Sequence, residues 1–342
     1  MAYKVLITET VDPKGTDYLK QQGYELIMGS GPKEETLLLE GQGCDGILTR
    51  NGEFTEAVLK ALSPTLKVVS MHGVGVDCID VDAATRLGIQ ITNAAASNQH
   101  SVAEYAIGLI LMLAKHSITY NNGLKSYDMG VRKVYGNDVS GKTLGIIGMG
   151  HIGTQVAKMA AFGLHMNVIG YSRHVTKPEK TEFGVLTNQM DDVIRAADFL
   201  SLHLPATAST KKLIGKRELS LMKPEAFLIN TGRGEVVDEE ALIELLQEKK
   251  IRGAALDVFE GNLPKPDNPL LFMDNVIVTP HTAAFTKEAL ERMSYQAALG
   301  VSEVLEGRPI TYPVNHLGKD DSEESARMRS VMNFFRHEFG YL

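Results

Sequence analysis

The stretch that decides the fold is Thr143-Leu-Gly-Ile-Ile-Gly-Met-Gly-His-Ile-Gly153. Its first five residues are an apolar run typical of a buried strand, and a helical pattern follows at residues 152–162. Gly148, Gly150 and Gly153 have the spacing G-x-G-x-x-G. Such glycines allow a tight turn, the approach of a diphosphate to the backbone, and close packing of the helix on the strand. The sequence therefore predicts a dinucleotide-binding strand, turn and helix.

The same pattern predicts where the cofactor binds. A diphosphate would rest on the first helical residues, His151 and Ile152, where unpaired N–H groups and the helix dipole favour negative charge. The second strand of such a unit usually ends in an acidic residue that binds the adenosine ribose. Here Ser172 and Arg173 follow that strand, and they suit a 2′-phosphate better than a carboxylate would. We therefore expect NADP(H) to be preferred, with NAD(H) as the alternative.

Strand-like and helical patterns alternate along most of the chain, which predicts an α/β fold with parallel sheets covered on both faces. Strands are predicted at residues 4–8, 24–28, 46–49, 67–71, 143–148, 166–171, 198–202, 226–230, 253–257 and 276–279. Helices are predicted at residues 14–22, 34–39, 55–62, 98–127, 152–162, 190–197, 239–249 and 286–306. The apolar spacing in residues 328–339 predicts a further amphipathic helix near the C-terminus.

The helical segment at residues 98–127 has an unusual composition. Ser101-Val-Ala-Glu104 has the S-x-x-E spacing of a capping box and precedes an apolar run that ends at Lys115. This run is too short to cross a bilayer. Because it is apolar nearly all round, we expect it to be buried on every side, either between domains or between subunits.

Composition limits the partners and the location. The 342 residues favour two domains, and Lys plus Arg at 35 against Asp plus Glu at 42 gives a net charge of −7. No basic field is therefore available for nucleic acid or an anionic membrane. Cys44 and Cys78 are too few for a disulfide framework and lack metal-ligand spacing, so no metal site is expected. The N-terminus does not resemble a signal peptide, and the cytoplasm is the expected location.

Several motifs occur in a characteristic order: Gly-Val-Gly-Val-Asp (73–77), Ser-Val-Ala-Glu (101–104), the glycine motif above, Asn-Thr-Gly-Arg-Gly (230–234), Ala-Leu-Asp-Val-Phe (255–259) and Thr-Pro-His (279–281). With them the chain resembles the D-isomer-specific 2-hydroxyacid dehydrogenases over about residues 1–315. The resemblance implies two Rossmann-like, doubly wound parallel-sheet domains. A flavodoxin-like substrate domain would comprise residues 1–99 and 286–342, and residues 100–285 would form an inserted NAD(P)-binding Rossmann domain.

The resemblance also implies roles for individual residues. Arg233 would hold the carboxylate and keto oxygen of the substrate, as a guanidinium can. His281 would exchange a proton with the substrate oxygen, since histidine titrates near neutrality. Further contacts are implied for the nicotinamide amide (Asp257), the substrate carboxylate (backbone of Val74 and Gly75) and the cofactor wall (His203, Leu204, Pro205 and Thr231).

One position departs from the family pattern. The family places a glutamate beside the catalytic histidine, and this chain has Asn262, which completes the predicted catalytic set with Arg233 and His281. An amide can orient an imidazole but cannot supply the negative charge that favours its protonated form. We expect carbonyl reduction to fall off above about pH 6.5, unless another carboxylate substitutes. Glu260 is the nearest candidate in sequence.

The remaining question is whether the substrate carries a phosphate group. Arg50 falls where phosphoglycerate dehydrogenases carry an arginine, but Met71 stands where some of them carry a second. Only about 25 residues remain from Gly318 onward, too few for their C-terminal regulatory domain. A reductase of small 2-oxo acids, such as glyoxylate or hydroxypyruvate, is therefore the first expectation. Phosphoglycerate dehydrogenase and a dinucleotide-sensing protein similar to the family's corepressors are the alternatives.

Family members bury the 101–115 region between subunits, which implies a homodimer; burial between the two domains of one chain is the alternative.

Overall fold

The structure is a computed structural model that describes residues 2–317, and these residues form two compact units. Unit 1 comprises residues 2–98 and 287–317, and unit 2 comprises residues 99–286. The amphipathic helix predicted near the C-terminus lies outside the described residues.

The described strands and helices alternate along most of the chain as the sequence predicts. The strands are β1 (Lys4–Ile7), β2 (Glu25–Met28), β3 (Gly46–Thr49), β4 (Val68–Met71), β5 (Gln90–Thr92), β6 (Thr143–Ile147), β7 (Asn167–Tyr171), β8 (Glu179–Thr181), β9 (Gly184–Thr187), β10 (Phe199–Leu202), β11 (Phe227–Asn230), β12 (Gly253–Leu256) and β13 (Val276–Val278). The helices are α1 (Pro13–Gln21), α2 (Glu34–Glu40), α3 (Glu56–Leu62), α4 (Val81–Arg86), α5 (Gln99–Ala114), α6 (Ser117–Lys125), α7 (His151–Lys158), α8 (Met190–Ala196), α9 (Lys216–Leu219), α10 (Glu239–Gln247) and α11 (Lys287–Leu305). Of these elements, β5, α4 and α9 were not predicted.

Unit 1 is built on a five-stranded parallel sheet in the order β2-β1-β3-β4-β5. This is the flavodoxin-like order. Apolar side chains of α1 and α11 pack on one face, and those of α2, α3 and α4 pack on the other. Gly15 of α1 is buried against α11, where a Cβ would come within 2.4 Å of the Ser294 carbonyl oxygen. Burial of both faces explains why the central strands read as continuous apolar runs.

Unit 2 is built on an eight-stranded sheet in the order β13-β12-β11-β10-β6-β7-β9-β8. All neighbouring pairs are parallel except β8 with β9, an edge hairpin that the sequence analysis missed. Helices α8, α9 and α10 cover one face, and α5 and α7 cover the other. The prediction of an α/β fold with two doubly wound sheets is confirmed, apart from this one antiparallel strand.

The segment predicted as one helix at residues 98–127 is two helices. The chain breaks at His116, whose φ of 51° lies in the left-handed region. Helix α5 begins at Gln99, so the predicted cap at Ser101 is wrong, and the Ser101 hydroxyl instead hydrogen-bonds Thr286 Oγ1 at 2.9 Å. Within this single chain α5 is not buried on every side, because Glu104 is exposed and several apolar side chains are only half-buried, so burial between subunits stays a prediction.

Among residues 2–317, no single helix has both the length and the apolar composition that crossing a bilayer requires. Helices α5 and α6 meet those criteria only as a pair, and the pair is bent by 63°.

Candidate functional site

The candidate residues of unit 2 lie at one edge of its sheet. They occupy the segments that follow parallel strands: Gly148, Gly150, His151, Ile152 and Gly153 after β6; Ser172 and Arg173 after β7; His203, Leu204 and Pro205 after β10; Thr231 and Arg233 after β11; Asp257 and Asn262 after β12; and His281 after β13. The carboxyl ends of parallel strands meet at the same edge, where α/β sheets bind ligands. Residues far apart in sequence are thereby brought to a common surface.

The three glycines after β6 do different things. Gly148 has a φ of 105°, and a Cβ there would come within 2.6 Å of the His203 carbonyl oxygen. A Cβ on Gly153 would come within 2.1 Å of the Gly148 carbonyl oxygen, so helix α7 packs directly on the turn. Gly150 is the N-cap of α7, and a Cβ there would have no neighbour within 4 Å. Gly148 and Gly153 are required by the fold, whereas Gly150 leaves open space at a helix N-terminus, where a diphosphate fits.

Two buried polar atoms lie in the predicted cofactor wall. The ring of His203 pairs through Nε2 with the Ser201 hydroxyl at 2.8 Å, and burial lowers the pKa of His203 to about 4. Its Nδ1 and the Thr231 hydroxyl have no hydrogen-bond partner within the described part of the chain. An unsatisfied buried polar group costs about 1–3 kcal/mol, so such atoms are rare. Polar groups of a bound dinucleotide fit these two positions.

The end of β7 carries no carboxylate. The Ser172 N–H donates to the Thr187 carbonyl at 2.9 Å, and the Ser172 hydroxyl accepts from the His174 N–H at 3.3 Å. Arg173 and Lys177 are exposed on the same segment. A hydroxyl with two accessible cations is the chemistry that a 2′-phosphate requires.

A shaped turn after β11 carries Arg233. The Asn230 side chain accepts from the Gly232 N–H at 3.0 Å and donates to the Arg233 carbonyl at 2.9 Å. Gly234 then packs on the backbone of Phe259, where a Cβ would come within 2.0 Å of the carbonyl group. The absence of a side chain at residue 234 therefore brings the arginine turn beside the loop that follows β12.

Asp257 fixes the turn that carries His281. Its buried carboxylate accepts from the Thr279 hydroxyl at 2.6 Å and from the N–H groups of Thr282 and Ala283, each at 2.9 Å. The Asp257 carbonyl also accepts from the His281 N–H at 2.8 Å. These bonds hold His281 at a φ of 55°, a conformation that few residues adopt. The role of Asp257 toward the nicotinamide stays a prediction.

Asn262 touches the imidazole of His281. Gly261 and Asn262 both have a φ of 78°, which suits glycine and asparagine, and the Asn262 N–H closes a turn by donating to Phe259 at 2.9 Å. Asn262 Oδ1 hydrogen-bonds His281 Nδ1. Because a carbonyl oxygen only accepts, Nδ1 carries a proton. His281 Nε2 is therefore the ring atom that can exchange a proton with a ligand.

Two carboxylates beside this turn were missed by the sequence analysis. Glu235 accepts from the Gly261 N–H at 3.3 Å, and Glu239 accepts from the Glu260 N–H at 3.1 Å. No local pattern signals these contacts, because they join segments more than twenty residues apart. Within the described chain, no group of three or more His, Cys, Asp or Glu side chains is placed to hold a metal ion.

The candidate residues of unit 1 lie at the carboxyl edge of its own sheet. Arg50 follows β3 and donates to the Thr10 carbonyl at 3.3 Å. Val74 and Gly75 follow β4, and the Val74 carbonyl accepts from Asn93 at 2.7 Å, which anchors the loop.

Sequence analysis also missed His72, which stands between β4 and this loop. The side chain is only 6% exposed, and its Nε2 has no partner among residues 2–317. Burial, with a smaller effect of the Arg50 charge, lowers the pKa of His72 to about 4. The sequence signal that could have identified His72 is its place as a titratable residue directly before a glycine-rich loop.

Comparison with known proteins agrees with this geometry. Residues 107–283 match the family described as D-isomer specific 2-hydroxyacid dehydrogenase, NAD binding domain. The chain is 40% identical over 314 residues to a D-3-phosphoglycerate dehydrogenase from Methanocaldococcus jannaschii, covering 91% of this chain and 59% of that protein. It is 36% identical over 316 residues to a glyoxylate reductase from Aeropyrum pernix, covering 89% of this chain and 93% of that protein.

A solved structure shows the same architecture. The NADPH-dependent glyoxylate/hydroxypyruvate reductase from Sinorhizobium meliloti, in complex with NADP and malonate, superposes with a TM-score of 0.81 at 28% identity. The match covers 93% of this chain and 98% of that one.

Replacing Asn262 with aspartate tests the electrostatics of the His281 pair. Aspartate keeps the size of the side chain, tolerates the left-handed backbone and adds a negative charge beside the ring. Because the charge favours the imidazolium, the titration midpoint of the His281 ring should rise by about one pH unit, or about 1.4 kcal/mol. An NMR titration of the ring carbons measures it.

Gln247→Glu is the matched control, because it adds the same charge at an exposed position of α10. It should leave the His281 midpoint within about 0.2 pH unit of the unmodified chain, since Gln247 ends α10 about 12 Å along the helix axis from Glu239 and exposed charges at such distances are largely screened. An unchanged midpoint in the Asn262→Asp chain would show that Asn262 does not govern the ring.

Proposed function

The chain belongs to the D-isomer-specific 2-hydroxyacid dehydrogenase family, and we propose that it reduces small 2-oxo acids with NADPH or NADH. The observation that carries this proposal is the placement of His281 on the edge that also carries Arg233 and the Gly150 turn. The ring is held through Nδ1 by Asn262, so Nε2 is directed to proton exchange.

The chemistry proposed for each side chain combines the family resemblance with the geometry of the sheet edge. The Arg233 guanidinium binds the carboxylate and the keto oxygen of the substrate with parallel hydrogen bonds. A bound reduced nicotinamide would supply the hydride. The His281 imidazolium donates its Nε2 proton to the substrate oxygen as the carbonyl is reduced, and the neutral ring takes it back in the reverse reaction. Throughout, the second ring proton stays on Nδ1, which donates it in a hydrogen bond to the Asn262 carbonyl oxygen.

A small, unphosphorylated substrate is supported by the unit 1 edge. Arg50 supplies one cation there, whereas Met71 is apolar and only 2% exposed. A phosphate is usually bound by more than one cationic or N–H donor. The Aeropyrum pernix relative is named a glyoxylate reductase, which agrees with this substrate class.

Phosphoglycerate dehydrogenase is the second candidate. It is favoured by the 40% identity to the Methanocaldococcus jannaschii protein of that name. This chain spans 59% of the length of that relative. In this alternative Arg50, which follows β3, corresponds to the arginine that phosphoglycerate dehydrogenases carry at this position.

We also propose a homodimer in the cytoplasm, with no nucleic-acid or membrane partner. The half-buried apolar side chains of α5 are followed by exposed ones, among them Leu124 at 63% and Tyr127 at 89%. Exposed apolar clusters mark interaction surfaces. The net charge of −7 supports the absence of a nucleic-acid or membrane partner.

Steady-state assays test the activity. Glyoxylate, hydroxypyruvate and phosphohydroxypyruvate are each assayed with NADPH and NADH, and 3-phosphoglycerate is assayed with NAD. We expect kcat/KM for an unphosphorylated acid to exceed that for the phosphorylated one by about tenfold or more, a difference of 1.4 kcal/mol. His281→Gln should lower kcat by about 100-fold or more.

The reverse order of substrates would favour phosphoglycerate dehydrogenase. Dinucleotide binding without turnover of any acid would instead favour a dinucleotide-sensing protein.

Removing Arg173 tests cofactor preference. Arg173→Ala should lower kcat/KM with NADPH by about 10- to 100-fold, the value of a charged hydrogen bond, and leave the value with NADH within about threefold. Arg173→Lys keeps the charge without the two-pronged geometry. Its kcat/KM with NADPH should lie between the values of Arg173→Ala and the unmodified chain. Equal losses with both cofactors would contradict recognition of the 2′-phosphate.

A charged substitution tests the homodimer. Leu124→Glu should shift the sedimenting species from twice the chain mass of 37.3 kDa to a single chain, because a buried unpaired carboxylate is costly. Leu39→Glu is the control, since that leucine is 79% exposed in unit 1. A dimer that survives Leu124→Glu, or is lost with Leu39→Glu, would place the interface elsewhere.

A further inference from the structure

We propose that Glu239 is a positioning residue for His281, acting through the loop at residues 260–268 that carries Asn262. The proposal rests on the proposed function, since it concerns the residue that protonates the substrate. It assigns a role to a carboxylate that lies outside the catalytic motifs.

Glu239 holds both ends of this loop. Its Oε2 accepts from the Glu260 N–H at 3.1 Å, and its Oε1 accepts from the Asn268 side-chain amide at 2.7 Å. Asn268 is itself buried, and its Oδ1 accepts from the Leu270 N–H at 2.9 Å. The two oxygens of one carboxylate therefore fix where the loop leaves β12 and where it rejoins the chain.

Helix α10 fixes the position of the Glu239 carboxylate. Glu239 is the first residue of α10, directly after the N-cap Asp238, whose side chain accepts from the Ala241 N–H at 3.4 Å. A negative charge at a helix N-terminus is stabilised by the helix dipole. Buried apolar residues of α10 pack on the sheet, so its first turn is a fixed reference for the loop.

The position of the loop sets the position of the ring. Asn262 lies two residues beyond Glu260, and its own side chain is exposed, so little packing holds it in place. Its contact with His281 Nδ1 depends on the turn from Phe259 to Asn262. Glu235 would still accept from the Gly261 N–H, but without the Glu239 bonds both ends of the loop would be released, and the amide would hold the imidazole less firmly. Misplacement of a catalytic group by about 1 Å can cost about 100-fold in rate.

A double-mutant cycle tests this role. Glu239→Ala should lower kcat for 2-oxo acid reduction by about tenfold and leave KM within about twofold. In the Asn262→Ala background the same change should lower kcat by less than about twofold, because the contact it supports is already gone. Glu239→Gln, which keeps the size and one carbonyl oxygen, should lower kcat by about threefold.

Glu240→Ala is the matched control, because it removes an exposed carboxylate from the same helical turn and should leave kcat unchanged. A readout without substrate separates this proposal from the proposed function. Long-range ¹H–¹⁵N spectra of the free chain should show the Nδ1–H tautomer of His281 as the main neutral form, and less of it in Glu239→Ala. Equal kcat losses in both backgrounds, or an unchanged tautomer ratio, would overturn the role of Glu239. If the spectra change but no 2-oxo acid is reduced, only the proposed function fails.

Discussion

Parallel strand pairing is the constraint on which the site depends. From β13 to β7, six neighbouring strands run in one direction, so the six segments that follow them meet at one edge. Adjacent strands are about 4.8 Å apart, which places the ends of β11 and β13 about 10 Å from each other. That separation is within the reach of an arginine and a histidine side chain that bind one small molecule. The glycine turn after β6 occupies the same edge.

The imidazole of His281 is held in place on that edge by Asp257 and Asn262. The Asp257 carboxylate accepts from the backbone N–H groups of Thr282 and Ala283, beside His281, and Asn262 Oδ1 accepts a hydrogen bond from His281 Nδ1–H. An amide in that place orients the ring without the charge that a carboxylate would add. Asn262 therefore fixes the orientation of the imidazole without stabilising its protonated form by charge. These contacts also maintain the left-handed backbone of His281, as is common where a functional group must be held in place.

Much of this arrangement was predictable from local patterns. Apolar runs located most strands, and the glycine spacing located the turn after β6, because both signals depend on neighbouring residues. The break at His116, the short elements β5, α4 and α9, and the β8–β9 hairpin were missed, and the cap predicted at Ser101 was wrong, since weak local preferences decide these features. Glu239 and His72 were missed for a different reason: their significance arises from contacts and burial that only the folded chain creates.

The most direct measurement is a crystal structure of the chain with NADPH and oxalate, a mimic of the 2-oxo acid. The account predicts that the Arg233 guanidinium and His281 Nε2 both lie within about 3 Å of oxygen atoms of the same oxalate, with the diphosphate against Gly150. An oxalate bound by only one of the two side chains, or a dinucleotide bound away from the turn after β6, would contradict it.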